Sequence, residues 1–416
     1  MSELIVRGGS PLFGVLDIHG AKNSVLPILA ATVLPASRCV VARCPEITDV
    51  SAAGEILCCL GARFERTGGA VTVDSSSVEN WCIPARLMEK MRASILFLGA
   101  LLGRFRRAEL TPPGGCALGL RPIDYHLQAL QNLGVAVCEE SGLLRFSWPD
   151  PHGGDVILPF PSVGATENLL LAAAAVEDET VIFGAAREPE VEDLCGFLSA
   201  MGAEITGAGT NTITVHGREN LCGTAYSVVP DRIEAATYLA MTAACGGCVR
   251  LRNTRPHHLQ PVLQVLRRAG CRIHSTQNTI TLERTAPLSG VGLVETAAYP
   301  GFPTDAQAPL LASLLQAEGE SVFRETVFRE RFQHIPQLIR FGGEIRVEAD
   351  TAVVNGVQGL HGACAEVTDL RGGAGVLIAA LQAEGESTLQ SAELIARGYG
   401  ELLPNLRALG ADVSQV

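Results

Sequence analysis

Aromatic and charged residues are both scarce in this 416-residue sequence, at 5% and 18% of the total. Hydrophobic residues make up 47%, which is typical of a folded globular protein and excludes a disordered chain. The formal net charge of −12 argues against a nucleic-acid partner. An anionic ligand would therefore have to be bound by lysine and arginine side chains gathered locally.

Long uninterrupted hydrophobic runs are also missing. The first ten residues, MSELIVRGGS, lack the basic region and apolar core of a secretory signal. The longest uncharged runs, such as NSVLPILAATVLPAS, are broken by Asn, Pro, Ser and Thr and are too short to span a membrane. The 13 cysteines are odd in number and have no framework spacing, so free thiols are expected. We expect a cytoplasmic protein that does not bind a membrane.

Two short motifs resemble those of metal, redox or dinucleotide-binding sites but lack the neighbouring residues that such sites need. The CGGC segment at Cys245–Cys248 has metal-like or redox-like spacing, yet no second CxxC completes a zinc site. The glycines of GGAG at 372–375 do not follow a strand with the spacing of a dinucleotide fingerprint. We therefore expect neither a metal nor a cofactor.

A segment that ends one helix and begins a strand recurs six times, as CLGARF, NLGVAV, AMGAEI, RAGCRI, FGGEIR and LGADVS. Its glycines are spaced by 68 to 73 residues, at Gly61, Gly134, Gly202, Gly270, Gly342 and Gly410. An Ala/Leu-rich helical stretch precedes each glycine in the repeat. This pattern predicts an α/β fold of six repeats, each helix–strand–helix–strand and usually a further strand. A chain of this length exceeds one usual core, so we expect two domains of three repeats, joined near Val229 and Pro230.

Basic residues recur at the predicted helix starts. The start of the first helix of each repeat holds Lys22, Arg92, Gly164, Arg232, Asp305 and Arg371. The entrance to each second helix holds Arg43, Arg121, Arg187, Arg255, Arg331 and Arg397. Helix N-termini attract anions, so these positions could form an anion site. The alternative is that each arginine makes only a local salt bridge or cap, which we favour for Arg43 and Arg255.

Nine segments, in order over nearly the whole chain, resemble the UDP-N-acetylglucosamine 1-carboxyvinyltransferase family. They are HGAKNSVLPILAA, MRASILFLGALL, PGGCALGLRPIDYH, SVGATENLLLAAA, AAREPEVEDLCGFL, PGFPTDAQAP, FRERFQHIPQL, TDLRGGAGVLIAAL and ARGYGELLPNLRALGA. The resemblance implies a two-domain inside-out α/β barrel, with three repeats in each domain around buried helices. It also implies that residues 22–229 form one domain, that 1–21 join 230–416 in the other, and that the active site lies in the cleft between them.

The resemblance further implies transfer of enolpyruvyl from phosphoenolpyruvate to the 3′-hydroxyl of UDP-N-acetylglucosamine, with release of phosphate, in peptidoglycan precursor synthesis. Asp305 is the expected base, and Cys116, in the loop TPPGGCALGLRP, the expected acid at C3 and a nucleophile that can form a pyruvate adduct. Fosfomycin would alkylate the same thiol. Lys22, Arg121 and Arg397 are expected to bind phosphoenolpyruvate. The residues expected to bind the sugar nucleotide or to line the cleft are Asn23, Arg92, Pro122, Ile123, Asp124, Pro161, Ser162, Val163, Gly164, Val327, Arg331, Asp369 and Arg371. We expect a monomer.

Several of these residues have plainer interpretations. Asp305 could be an N-cap, a common role for aspartate at a helix start, and Cys116 could be an ordinary free thiol. Glu188 and Glu190 could contact the ligand or belong to a solvated acidic helix start. The sequence also departs from the family at Gly372, Gly373, Ala396 and Gly400.

Two rival functions remain. The sister enzyme that uses shikimate 3-phosphate shares the fold but does not use such a loop cysteine. A non-catalytic sugar-nucleotide sensor would be expected to lose Cys116, Asp305 or Lys22, and all three are present.

Overall fold

A computed structural model describes residues 3–114, 123–328 and 330–416. The described residues form two compact units. The first half comprises residues 20–114 and 123–229, and the second half comprises 3–19 and 230–416 without residue 329. Each half has its own hydrophobic core.

The six-fold repeat predicted from the glycines is present. All six glycines have positive φ, from 85° at Gly134 to 115° at Gly202, which is the backbone conformation that ends a helix and favours glycine. The second helix of each repeat ends one or two residues before its glycine. These outer helices are Thr48–Leu60, Asp124–Asn132, Pro189–Ala200, Gln260–Arg268, Ile335–Arg340 and Leu402–Ala408.

Three buried helices run through the core of the first half. They are Lys22–Ala31, Phe97–Phe105, which continues the 3₁₀ turn Arg92–Leu96, and Val163–Ala173. A short helix, Ala85–Met88, precedes the second of them. Residues 165–173 are all buried, which is the behaviour expected of a helix surrounded by other elements.

Three sheets of the first half cover these helices, and in each of them neighbouring strands are hydrogen-bonded in the order named. The first sheet has the order Ala225–Ser227, Arg38–Ala42, Ala70–Asp74 and Arg63–Thr67. The second has the order Arg107–Leu110, Leu143–Ser147 and Ala136–Glu140. The third has the order Glu204–Thr206, Thr212–His216, Glu179–Phe183 and Gly154–Ile157.

The second half has the same plan. Its buried helices are Arg232–Cys245, Gln307–Ser313 and Leu370–Gln382, and its 3₁₀ turns are Pro256–Leu259, Thr304–Ala306 and Ala392–Arg397. Its first sheet has the order Cys364–Glu366, Glu386–Gln390, Leu4–Arg7 and Asp412–Gln415. Its second has the order Arg272–Ser275, Thr279–Arg284, Gly247–Arg252 and Leu12–Asp17. Its third has the order Gly292–Glu295, Glu320–Arg324, Thr351–Asn355 and Glu344–Glu348.

Strand pairing explains why the N-terminal segment belongs to the second half. Leu4–Arg7 lies antiparallel between Glu386–Gln390 and Asp412–Gln415. Leu12–Asp17 then pairs in parallel with Gly247–Arg252. Two sheets of this half would each lose a strand without residues 4–17.

Glycine allows the buried helices of the first half to approach closely. A Cβ added at Gly99 would lie 2.4 Å from the carbonyl oxygen of Asn168 on the neighbouring helix. The Asn168 side chain uses this proximity, because its Oδ1 accepts a hydrogen bond from the Gly99 N–H at 2.8 Å. Small residues thus set the spacing of the core.

The predicted α/β class is confirmed. Within the described residues each half has three separate sheets around buried helices, and none of these sheets closes into a barrel. In the same residues, no helix has the length and apolar character required to cross a membrane.

Candidate functional site

Asp305 lies in the second half between two arginines. Its Oδ1 accepts a hydrogen bond from Arg331 Nη2 at 2.9 Å, and its Oδ2 accepts one from Arg371 Nη2 at 3.2 Å. The arginine side chains are 4% and 5% exposed, whereas that of Asp305 is 26% exposed. The carboxylate is therefore fixed by buried charges and still reaches solvent. Pro303, not Asp305, occupies the N-cap position of this turn.

Arg371 begins a buried helix whose N-cap is Asp369. The Asp369 Oδ1 accepts the backbone N–H groups of Arg371 and Gly372 at 2.9 and 3.0 Å. Burial acts to lower the pKa of Arg371, but the Tyr399 hydroxyl beside it and the negative charges of Asp305 and Asp231 outweigh it and raise that pKa. Asp369 is thus a cap that orients the helix start, and Gly372 retains the N–H that this cap requires.

A buried glutamate connects the Asp305 turn with Val327. Glu325 accepts the backbone N–H of Val327 at 2.8 Å through Oε1 and the Thr304 hydroxyl at 2.9 Å through Oε2. Glu325 is not among the residues expected from the sequence. Its only signal was its position two residues before Val327.

Arg397 ends the 3₁₀ turn Ala392–Arg397 and is partly exposed. Two residues later, the Tyr399 hydroxyl accepts a hydrogen bond from Arg371 Nη1 at 2.9 Å. The segment that carries Arg397 is thereby tied to the arginine that binds Asp305. Tyr399 was also missed, although it follows Arg397 in the ARGY motif.

Lys22 is the first residue of a buried helix in the first half, and Asn23 follows it. The Lys22 Nζ lies 2.7 Å from Asp49 Oδ2, and both side chains are nearly buried. The local salt bridge considered as an alternative for the basic residues therefore exists here. It also holds the ammonium group at the helix start.

His126 lies near three of the segments predicted to bind the sugar nucleotide. It follows Asp124 by two residues, its ring lies against Gly164, and Arg92 is close enough to act on its charge. Burial first, and then Arg92, lowers the pKa of His126 to about 4. Its Nδ1 lies 2.7 Å from Asn168 Nδ2, so a neutral ring accepts that hydrogen bond and carries its proton on Nε2.

The remaining residues predicted for the nucleotide lie near these. Ile123 and Asp124 are at the start of the outer helix Asp124–Asn132, where Asp124 is exposed. Ser162 is the N-cap of Val163–Ala173, and its hydroxyl accepts the Ala165 N–H at 3.4 Å. Pro161, Val163 and Gly164 are partly exposed around that cap.

The acidic pair Glu188 and Glu190 is not a solvated helix start. Glu188 occupies the N-cap position of Pro189–Ala200, and Glu190 is only 3% exposed. Both lie near buried Glu167, whose pKa is raised well above its usual range by burial and then by the charges of Glu190 and Glu188. The interpretation as a solvated face was wrong for Glu190, because this residue is buried.

Cys116, Arg121 and Pro122 lie outside the described residues. Cys245 ends a buried helix and Cys248 is the second residue of the next strand, and burial raises the pKa of Cys245 to about 12. Within the described residues no group of three or more His, Cys, Asp and Glu residues could hold a metal ion.

Comparison with known proteins gives the family. The model of EPSP synthase (3-phosphoshikimate 1-carboxyvinyltransferase) matches residues 6–406. The chain belongs to the EPSP synthase family. Within it, the chain is 42% identical to UDP-N-acetylglucosamine 1-carboxyvinyltransferase 2 of Caldanaerobacter subterraneus subsp. tengcongensis, over 100% of both sequences. It is also 42% identical to the UDP-N-acetylglucosamine 1-carboxyvinyltransferase of Solidesulfovibrio magneticus, again over 100% of both.

Solved structures agree with the family on the fold. The enolpyruvyl transferase NikO from Streptomyces tendae has a TM-score of 0.90 and 27% identity, covering 100% of this chain and 99% of that one. EPSP synthase from Acinetobacter baumannii has a TM-score of 0.75 at 19% identity, covering 100% of both chains, and shows the fold alone. The resemblance inferred from the sequence motifs is therefore confirmed.

Proposed function

We propose that this protein transfers the enolpyruvyl group of phosphoenolpyruvate to the 3′-hydroxyl of UDP-N-acetylglucosamine and releases phosphate, in peptidoglycan precursor synthesis. The observation that carries the proposal is the 42% identity, over the full length of both chains, to proteins named for this reaction. The Asp305 carboxylate between two buried guanidinium groups supports it, because the reaction needs a fixed base beside cations.

In the proposed addition, Asp305 takes the proton of the sugar 3′-hydroxyl. The 3′-oxygen of the sugar bonds to C2 of phosphoenolpyruvate at the same time. The Cys116 thiol gives a proton to C3, which becomes a methyl group. In the elimination, the C2–O bond to phosphate breaks and the methyl group returns a proton to the Cys116 thiolate, which leaves a vinyl ether. The departing phosphate takes the proton that Asp305 accepted. Substrates and products balance without an oxidant or a cofactor.

The charges near Asp305 bear on its role as a base. Two guanidinium groups favour the ionised carboxylate and so weaken it as a proton acceptor. We propose that bound phosphoenolpyruvate shares the positive charge of Arg331 and Arg371 and thereby restores the basicity of Asp305. Lys22, Arg121 and Arg397 would hold the remaining charge of the phosphate and carboxylate.

Residues of both halves would take part, and we propose that the halves are the two domains of the enzyme. Arg92, Gly164 and the Ile123–Asp124 segment, which surround His126, would bind the nucleotide and sugar together with Asn23, Pro122, Pro161, Ser162 and Val163. Val327 and Asp369 of the second half would also belong to this binding site.

The test is phosphate release from phosphoenolpyruvate with and without UDP-N-acetylglucosamine, and separately with shikimate 3-phosphate. Release that depends on UDP-N-acetylglucosamine is expected. Release only with shikimate 3-phosphate would identify the sister reaction. Binding of the sugar nucleotide without release would identify a sensor. Cys116→Ser is expected to lose turnover and fosfomycin labelling, and undiminished labelling would remove Cys116 from the proposal.

A further inference from the structure

Tyr399 is a buried residue to which the proposed reaction assigns no role. It is 3% exposed and lies against two buried helices of the second half, through Thr237 on Arg232–Cys245 and Arg371 on Leu370–Gln382. Its hydroxyl oxygen is 2.8 Å from Thr237 Oγ1 and 2.9 Å from Arg371 Nη1. The Arg371 guanidinium carbon also lies 5.3 Å from the centre of the tyrosine ring.

The donors and acceptors fix the direction of these hydrogen bonds. A guanidinium group only donates, so the Tyr399 oxygen accepts from Arg371. Thr237 donates its own hydroxyl proton to the carbonyl of Ile233 at 2.8 Å, which leaves Thr237 Oγ1 to accept the Tyr399 proton. Each group in this chain of hydrogen bonds has one assignable orientation.

The other arm of Arg371 binds Asp305. Arg371 Nη2 donates to Asp305 Oδ2 at 3.2 Å, while Nη1 donates to Tyr399. Because the guanidinium is a rigid plane, a hydrogen bond that holds Nη1 also sets the direction of Nη2. The Asp305 carboxylate, which Arg331 also holds, is therefore linked to Tyr399 through Arg371.

We propose that Tyr399, anchored by Thr237, is a positioning residue that holds Arg371 in register with the Asp305 carboxylate. The assignment of Asp305 as the reacting base rests on the proposed function. The geometric claim, that Tyr399 sets the Arg371–Asp305 contact, stands apart from it.

The kinetic test is Tyr399→Phe in the full-length protein. This change keeps the ring but removes the acceptor of a buried charged donor. A hydrogen bond of this kind corresponds to about a ten- to hundredfold change in rate. We expect kcat to fall by that factor, while KM for UDP-N-acetylglucosamine changes by less than about threefold. We also expect the acid limb of the pH profile of kcat to move to higher pH, because a less firmly held guanidinium favours the ionised Asp305 less.

Tyr238→Phe is the matched control. Tyr238 is 1% exposed in the same half, and its hydroxyl accepts a hydrogen bond from Asn405 Nδ2 at 3.0 Å. The control therefore removes one buried hydroxyl with its hydrogen bond, and no contact to Arg371 or Asp305. We expect it to lower Tm about as much as Tyr399→Phe and to leave kcat and its pH profile unchanged.

Crystal structures of the wild type and of Tyr399→Phe provide a readout that does not need activity. Loss of the Arg371–Asp305 contact in the variant is expected. Retention of that contact, or kinetics of Tyr399→Phe that match those of Tyr238→Phe, would overturn the proposal. If Tyr399→Phe does not fold, Thr237→Val removes the anchor of the same hydroxyl. Retention of the Arg371–Asp305 contact in that variant, or kinetics that match those of Tyr238→Phe, would then overturn the proposal. A wild type that releases no phosphate would refute the proposed function and leave the structural comparison to decide this inference.

Discussion

The two halves share a plan but differ in the charges at the starts of their buried helices. In the first half these positions hold Lys22, Arg92 and Gly164, and a neutral His126 packs against the glycine. In the second half Arg371 makes an ion pair with Asp305, at the start of the neighbouring helix. One scaffold thus presents cations and a glycine in one half and a carboxylate held by cations in the other.

The difference shows how a fold built from repeats can carry a reactive side chain in one repeat only. The repeat determines where a helix begins, since each of the six units ends its second helix at a glycine with positive φ. The residue at the start of the first helix is free to vary, because its side chain lies at the end of the core rather than within it. The proposed reaction needs one base for the sugar hydroxyl, and only Asp305 among these six positions is a carboxylate.

The largest expected effect is that of Asp305→Asn. This change keeps the shape of the side chain and removes its charge, so the proposed base is lost. We expect kcat to fall by about 10²- to 10⁴-fold with sugar-nucleotide binding retained, measured by phosphate release and calorimetry. Asp412→Asn is the control in the same half, because its ion pair with Arg7 is exposed. Equal rates for Asp305→Asn and wild type would return Asp305 to a structural role.

A smaller effect concerns how closely the buried helices pack. A Cβ at Gly99 in the first half would meet a backbone oxygen at 2.4 Å, whereas one at Gly375 in the second would meet Ala308 at 3.0 Å. We expect Gly99→Ala to lower the free energy of unfolding by about 1–3 kcal/mol, despite the better helix propensity of alanine, and Gly375→Ala by less. Denaturant unfolding measures both, with Gly69→Ala, in open space, as the control. A larger loss at Gly375 would reverse the comparison.

The smallest effect concerns a histidine in each half. In the second half a hydrogen bond from the His19 ring to the Glu234 carboxylate, with the charges of Glu234 and Glu401, raises the pKa of His19 to about 9. This stabilisation is complete below about pH 6.5 and is lost as the pH rises towards 9. His126 acts in the opposite direction: its pKa of about 4 makes stability fall as the pH drops below about 6.5.

The side chain of His19 is a third exposed, so we expect its contribution to be only about 1 kcal/mol. Unfolding of the wild type and of His19→Gln from pH 6 to 9.5 measures it. The variant should lack most of the decline seen in the wild type. An unchanged decline would show that other groups cause it.

The sequence was sufficient to predict the repeats, because helix ends require glycine and buried helices require small apolar residues. It also indicated Asp305, Arg331 and Arg371 as members of one site, and the structure brings these three together. It did not indicate Tyr399, Glu325, Asp49 or His126, because each acts through a hydrogen bond or contact to a residue distant in sequence. A tyrosine or glutamate in a loop carries no local sign of the partner that folding gives it.

Addition followed by elimination is most directly tested by running the reaction in D₂O. The wild type should consume phosphoenolpyruvate and UDP-N-acetylglucosamine in equal amounts. It should release an equal amount of phosphate and yield a vinyl ether that carries deuterium, because C3 passes through a methyl group. A vinyl ether free of deuterium, or phosphate formed without loss of the sugar nucleotide, would contradict the mechanism.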